Sequence, residues 1–558
     1  MLSSADDGSS HAVARRDGRS PVSVLVRSPL QDPIKFDPGS ASVAMGAQRP
    51  SRRVFWVPVH PLLRNVGLTG ITTLLTSIAA IAVISLIGRV LGPVLLGEYL
   101  LVRRMASWLQ AVVALPSGVA LPRYVAASVD EPPATSRGYF FAAIVGSSGL
   151  ALLLIAGFLA WKGPSSKLLF GSERLSSLAF PLGILLLGLA LHGAVFGFYQ
   201  GKLWMGRACM LQFCNLAIVP VVVVIWLAPK HSIPMIVYST GVAMMWISVL
   251  FAVPVIYRVR FSEALRHARK RVTELFSFGL SRAWGDFGLQ ALLSLPAVIA
   301  AHYVSLQSVG YLLLGGSLLA VVAAATLPIG MILLSQVSRS LAQGRTAQLK
   351  KNLPHFVNGL IECSLFGCLQ MLVFTDSILA IWLGSGFSEA VRIVRLLIVA
   401  IPFYFVYGGL RSIVDAAALK AYNTRNILIS LALFLIAVLP LTIYSAPRYL
   451  LEGLAAFVVV AMGLLAWLTW RTVRRLFQIR LPGARVLPGI SLALILGGGS
   501  FLLHNVFRFQ PGLAALIFYE TTLLVVYFAA LWRLRSPWLQ FLGDLLRSDQ
   551  SFNPRPAA

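Results

Sequence analysis

Pairs of oppositely charged side chains interrupt long apolar stretches of this chain, at a spacing that would let the two members of a pair act together. Arg282 and Asp286 lie four residues apart, and so do Arg411 and Asp415. On an α-helix this spacing places both members of a pair on one face. A charge at the centre of a bilayer costs roughly 2.5–3.5 kcal/mol on insertion scales, so each needs a partner or a wet cavity. Either each Asp orients an Arg that binds an anionic group bidentately, or each pair only neutralises itself.

Three further arginines lie near the ends of apolar segments, at Arg89, Arg103 and Arg104. They are candidates for receiving phosphate once a cavity opens outward, and the alternative is that they reach the lipid headgroups instead. The predicted substrate-binding residues are therefore Arg282, Asp286, Arg411, Asp415, Arg103, Arg104 and Arg89.

Glu362 is an acid near the middle of an apolar segment, and it has no partner close in sequence. A buried glutamate of this kind can carry a proton, so we predict an ion-coupling role, with H⁺ or Na⁺ as the ion. The alternative is a hydrogen-bonded structural glutamate. The sequence contains no phosphate-binding loop, zinc helix or nucleophile elbow, so we expect no catalytic residues, no metal site, no cofactor and no enzymatic activity.

The segments that carry these charges are long enough to cross a membrane. Of the 558 residues 57% are hydrophobic and 12% are charged, whereas a soluble protein has roughly 25% charged residues. The apolar residues form blocks of about 20, the length of a membrane-spanning helix. We predict an all-α polytopic membrane protein with about fourteen spans, near 62–88, 98–121, 139–161, 176–198, 209–228, 234–257, 276–300, 308–335, 353–375, 393–418, 427–446, 450–470, 486–504 and 512–532.

The chain also repeats itself about 212 residues apart. Gly97-Glu98-Tyr99 is followed by Leu115-Pro116, and Gly310-Tyr311 is followed at the same distance by Leu327-Pro328. Six spans separate the copies, so both insert with the same orientation and the repeat is parallel. Two similar halves of a polytopic membrane protein are typical of a transporter whose pathway lies between them.

The distribution of charge predicts the orientation of the chain in the membrane, and composition predicts its division into segments. The net charge is +27, and basic residues are more than twice as frequent in one set of loops as in the other, which predicts cytoplasmic termini and contact with anionic lipids, not nucleic acid. The predicted divisions are a disordered cytoplasmic tail at 1–60, six-helix lobes at 61–257 and 276–480, an amphipathic linker at 258–275, a helix pair at 481–535 and a cytoplasmic tail at 536–558.

The first predicted span and the motif after it resemble a known family. Asn65-Val66-Gly67, followed by the stretch from Ile87 to Tyr99 (Ile-Gly-Arg-Val-Leu-Gly-Pro-Val-Leu-Leu-Gly-Glu-Tyr), resembles the opening of polysaccharide flippases of the multidrug/oligosaccharidyl-lipid/polysaccharide (MOP) exporter superfamily. Val309-Gly310-Tyr311 is similar to the counterpart in the second lobe. The resemblance covers about residues 60–535, and Gly88 departs from it where alanine is commoner.

This resemblance implies that two lobes alternate in opening to either side of the bacterial inner membrane. The implied cargo is an undecaprenyl-diphosphate-linked oligosaccharide, moved from the cytoplasmic to the periplasmic leaflet, and glycan assembly enzymes are implied as possible partners. The first alternative is a cation-coupled multidrug exporter of the same superfamily, which would need acidic or aromatic lining and no arginine. The second is a membrane glycan polymerase or ligase, which needs a larger periplasmic loop than this chain offers.

Overall fold

The computed structural model describes residues 59–128, 131–257, 268–342, 346–418, 420–444, 446–479 and 486–540. These residues form helices and turns with no strand among them, which confirms the all-α prediction. The N-terminal tail lies almost wholly outside the described residues, and the predicted amphipathic linker lies partly outside them. Of the predicted C-terminal tail, residues 536–540 are described.

The first half of the described chain contains eight α-helices. They are α1 Val59–Val113, α2 Ala120–Ala127, α3 Pro133–Ala160, α4 Lys162–Phe170, α5 Ala179–Gly201, α6 Met205–Phe213, α7 Val219–Leu227 and α8 Ile233–Ile256. A single π-helical turn, Cys214–Ile218, joins α6 to α7. Local sequence sets several ends: Gly171 takes the left-handed conformation that stops α4, and the Ser232 side chain accepts a hydrogen bond from the Met235 amide at the start of α8.

The second half continues with longer helices. They are α9 Ala268–Tyr303, α10 Leu306–Ala342, α11 Thr346–Val373, α12 Thr375–Leu383, α13 Ala390–Ile398, α14 Ile401–Ala417, α15 Tyr422–Tyr444 and α16 Pro447–Phe477, followed by α17 Leu487–Asn505 and α18 Leu513–Arg533. The predicted apolar segments overlap these helices, with ends that differ by several residues. The division into two six-helix lobes and a helix pair stays a prediction.

Twelve helices in the described residues are long and apolar enough to cross a membrane. The predicted count of fourteen is not confirmed, for two reasons. The first two predicted segments lie in the single element α1, which changes direction at Gly92. The predicted segment 308–335 is represented only by the shorter apolar stretch Leu306–Val322 of α10. Gly92 has a φ of 79° and a ψ of 179°. Residues that carry a Cβ rarely adopt this backbone conformation. The second predicted segment ends early, because a turn that contains Pro116 and Gly118 follows Val113.

The two halves of the sequence touch near both ends of the bundle. Near one end α1 packs on α10, where a Cβ added to Gly310 would lie 2.9 Å from the Cα of Gly97. Near the other end the Tyr139 hydroxyl on α3 donates a 2.7 Å hydrogen bond to Glu274 on α9, and the Arg271 guanidinium lies over the same tyrosine ring. The positive-inside rule predicts that the first contact is periplasmic and the second cytoplasmic.

Candidate functional site: a cavity between the halves

A cavity of about 370 Å³ lies between the two halves of the chain. The first half supplies residues of α1, α5, α7 with the π-helical turn, and α8, while the second half supplies residues of α10 and the Trp382 side chain of α12. Both copies of the repeat therefore contribute to one internal space, at the place where the sequence predicts a transport pathway.

Arg103 and Arg104 both line this cavity. Arg103 is exposed, whereas Arg104 is partly buried, with its guanidinium against α10: a Cβ on Gly316 would lie 3.1 Å from Arg104 Nη2. Among the described residues no ion pair involves either arginine. No aspartate or glutamate belongs to the described lining. The cavity therefore carries positive charge without an acidic counter-ion among the described residues, and it favours an anionic ligand.

A polar stripe extends from these arginines along α1. Tyr99, Arg103, Ser107 and Gln110 all line the cavity, and their spacings of four, four and three residues place them on one helix face. This spacing is visible in the sequence, so the stripe could have been recognised there. Asn215, buried on the π-helical turn, also lines the cavity. Its side-chain amide donates to Ser248 at 2.9 Å and lies 3.1 Å from the His192 ring.

Arg89 makes different contacts from the other two arginines of α1. Its Nε donates to the carbonyl oxygen of Trp382 at 3.2 Å, and its Nη2 donates to the carbonyl oxygen of Ile381. The arginine thus binds the carboxyl end of α12, in the other half of the chain. In this state its donors face backbone oxygens of the protein.

Asp286, Arg411 and Asp415 form one cluster instead of two separate pairs. Arg411 Nη2 lies 2.7 Å from Asp286 Oδ1, across α9 and α14, and Arg411 Nε lies 3.9 Å from Asp415 on its own helix. Asn423 donates to Asp415 at 2.8 Å. The side chain of Arg282 lies outside the described residues. Asp286 was predicted to orient Arg282, whereas its observed partner is Arg411.

This cluster lies outside the described lining of the cavity. Two carboxylates flank the Arg411 guanidinium, whose side chain is 37% exposed. The positive charge of Arg411 is therefore compensated by neighbouring carboxylates, in contrast to the charges of Arg103 and Arg104. Cargo binding at Arg282, Asp286, Arg411 and Asp415 stays a prediction.

The Glu362 carboxylate faces the C-terminal helices. Trp538 Nε1 donates to Glu362 Oε2 at 2.8 Å, and the Ser536 hydroxyl donates to the same oxygen at 3.2 Å. The Tyr527 hydroxyl donates to the backbone oxygen of Glu362 at 3.1 Å. The glutamate is 1% exposed and does not belong to the described cavity lining. Its ion-coupling role stays a prediction, and the observed contacts fasten the segment after α18 to α11.

Two variants separate a coupling role of Glu362 from a structural one. We expect Trp538→Phe to lower the free energy of unfolding by about 1–3 kcal/mol, because it removes a donor from a buried carboxylate. Glu362→Gln retains an acceptor for Trp538 and should cost less. Thermal unfolding of both purified variants measures these effects. A Glu362→Gln protein that is as stable as the wild type, but whose transport no longer responds to an imposed pH gradient, would instead support coupling.

The comparisons with known proteins agree with this architecture. The sequence pattern of the family described as Polysaccharide biosynthesis protein matches residues 62–339. No curated protein matches the sequence of this chain. The solved structure of the lipid II flippase MurJ in an inward closed conformation is similar, with a TM-score of 0.65 and 14% identity over 83% of this chain and 97% of that chain.

Two transporters of the MATE type share the fold as well. An inward-facing multidrug resistance MATE transporter of the MOP superfamily has a TM-score of 0.58 and 12% identity, over 76% of this chain and 95% of that chain. A eukaryotic MATE transporter has a TM-score of 0.51 and 14% identity, over 78% and 99%. At these identities the structures establish the fold, and the family pattern adds the sequence relationship. The chain is a multi-pass membrane protein with the fold of MOP-superfamily transporters, and it carries the sequence pattern of the polysaccharide biosynthesis protein family over residues 62–339.

Proposed function

We propose that this protein is a flippase that moves an undecaprenyl-diphosphate-linked oligosaccharide from the cytoplasmic to the periplasmic leaflet of the bacterial inner membrane. The observation that carries the proposal is the cavity between the halves, which holds Arg103 and Arg104 and no acidic side chain in its described lining. Arginine suits diphosphate because its planar guanidinium donates two parallel hydrogen bonds to phosphate oxygens. Low-dielectric surroundings strengthen this attraction compared with water.

The volume of the cavity limits what this closed state can hold. About 370 Å³ is at the lower end of the roughly 300–1,000 Å³ found for small-molecule sites. The space suits a diphosphate and the sugar next to it, and the polyprenyl chain stays in the lipid. An oligosaccharide needs a wider opening between the halves, which the alternating movement of two lobes would supply. Coupling to H⁺ or Na⁺, contact with anionic lipids and partnership with glycan assembly enzymes belong to the same proposal.

The test is transport by the full chain in proteoliposomes. The cargo is an undecaprenyl-diphosphate-linked oligosaccharide with a fluorophore on its sugar, and the readout is its exposure to a membrane-impermeant quencher. We expect protein-dependent transfer between leaflets, and much slower transfer of a matched neutral glycolipid, which has no diphosphate for the arginines.

Other results point to the alternative functions. Equal transfer of the charged and neutral lipids would contradict a diphosphate site. Efflux of lipophilic cations without lipid transfer would favour the multidrug exporter. The described lining offers such cargo the aromatic side chains of Tyr99 and Trp382, but it also holds two arginines and no acidic residue. Lengthening of the glycan during the assay would identify a polymerase.

A further inference from the structure

Four polar contacts join α1 to the carboxyl end of α12, and hence one half of the chain to the other. The Ser85 hydroxyl donates to the carbonyl oxygen of Trp382 at 2.5 Å. Arg89 donates to the carbonyl oxygens of Trp382 and Ile381. In return the Trp382 indole donates to the carbonyl oxygen of Ile81 at 2.9 Å. Donors and acceptors thus come from both sides of the contact.

The sequence explains why these carbonyl groups accept bonds from another helix. Gly384, with a φ of 95° and a ψ of −179°, ends α12, and its amide bonds back to Ala380. The carbonyl groups beyond Ala380 lack an amide of their own helix. Unpaired carbonyl groups within a bilayer are costly, and the negative end of the helix dipole attracts a cation. Arg89 and Ser85 meet both needs, but only while the two halves are in contact.

The same contact forms part of the cavity wall. Trp382 and Ile81 line the cavity, whereas Arg89 does not. The next turn of α1 is closely packed on the same region, because a Cβ on Gly88 would lie 2.9 Å from Leu383 Cδ2. Breaking the four bonds would separate α1 from α12 and open the wall at the end predicted to be periplasmic.

We propose that Ser85, Arg89 and Trp382 form a releasable latch, which holds the cavity closed toward the periplasm. Arg89 is then a positioning residue that acts on the balance between closed and open states, and not a cargo ligand in the closed state. The inference rests on the proposed function in one respect, since only a cycling transporter needs a closure that can be released. It concerns access to the cavity, so its test does not depend on measuring transfer of the cargo.

The experiment measures access to the cavity from the predicted periplasmic side. The four cysteines are replaced by alanine, and Ser107→Cys supplies one thiol in the cavity lining. Intact cells are treated with a membrane-impermeant maleimide, and the rate of labelling is compared among variants of the full chain. We expect Arg89→Ala to raise the rate about ten- to a hundredfold, as expected for the loss of charged hydrogen bonds. Ser85→Ala should raise it about two- to tenfold through the loss of a neutral one.

Arg392→Ala is the matched control. Arg392 is predicted to lie on the same side of the membrane, and its Nη2 lies 3.0 Å from Glu452, but both residues belong to the second half of the chain. Its removal deletes one arginine and one ion pair without touching the contact between halves, so labelling should stay at the wild-type rate. A similar increase in Arg392→Ala would show general loosening and overturn the latch.

Three variants remove latch contacts at different residues, so poor folding of one does not end the test. Membrane yield and thermal unfolding identify a variant that fails to fold. If Arg89→Ala does not accumulate, Ser85→Ala and Trp382→Phe break the same contact from its two sides, and each should increase labelling. Unchanged labelling in the folded latch variants overturns the inference, and it leaves the cargo assignment untouched because labelling of the thiol does not report transfer of a lipid-linked sugar.

Discussion

Transfer of the lipid-linked oligosaccharide is expected to fall by about a hundredfold or more when Arg103 and Arg104 are both replaced by alanine. Each guanidinium offers charge-assisted hydrogen bonds that contribute roughly 1.5–3 kcal/mol to binding of an anion, and every 1.4 kcal/mol is a factor of about ten. Because the described lining contains no other charged side chain, nothing nearby replaces what the double variant loses. The measurement is the initial rate of leaflet transfer in proteoliposomes.

Single variants and a charge-matched control complete this test. Arg103→Lys keeps the charge but not the two parallel donors, so its rate should lie between those of the wild type and Arg103→Ala. Arg174→Ala also removes one positive charge, from an exposed position outside the described lining, and should leave transfer unchanged. Transfer at the wild-type rate in the double variant would contradict the assignment of the diphosphate site to these residues.

The sequence was sufficient for the fold because its signals are local. The apolar segments, the near absence of charge inside them and the repeated Gly-Tyr element each depend on short stretches of chain, and the all-α membrane architecture follows from them. Arg103 and Arg104 could be selected on the same basis, since arginines inside an apolar segment need a wet cavity or a headgroup. Their place in the cavity lining agrees with the first of these two possibilities.

The partners of the other charged residues could not be deduced because they come from distant parts of the chain. Asp286 and Arg411 are 125 residues apart in sequence, and their contact depends on how α9 packs against α14. Helical spacing predicted Asp415 as the partner of Arg411, four residues away. The packing of the helices instead brings Asp286 closer to it. Glu362 and Trp538 are 176 residues apart, and periodicity gives no indication of which face of an apolar helix meets the C-terminal segment.

The repeated Gly-Tyr element gains a physical explanation from the packing of α1 on α10. A Cβ at Gly97 would collide with the carbonyl oxygen of Leu306 and would lie 3.4 Å from the Cα of Gly310. The two helices therefore meet backbone to backbone, as small residues allow in membranes. Because the glycines of both copies meet each other, the repeat marks a place where the halves touch, and Arg103 and Arg104 line the cavity next to this contact.

We expect Gly97→Ala to reduce transport about tenfold or more by preventing closure at the periplasmic end. The added methyl meets a backbone carbonyl, which cannot rotate away as a side chain can, and overpacking of this kind costs roughly 1–3 kcal/mol. The helix itself favours alanine over glycine by about 1 kcal/mol, so a loss of transport cannot come from a weaker helix. Labelling of the thiol from Ser107→Cys should rise together with the loss of transport, because the halves stay apart.

The control for this substitution is Gly157→Ala on α3, where an added Cβ meets nothing within 4 Å. It makes the same chemical change within a helix and should leave both transport and labelling unchanged. The glycine variant also differs from Arg89→Ala, which loosens the closed state but lets it form. Wild-type transport by Gly97→Ala would mean that the close approach of α1 and α10 is not a step of the transport cycle.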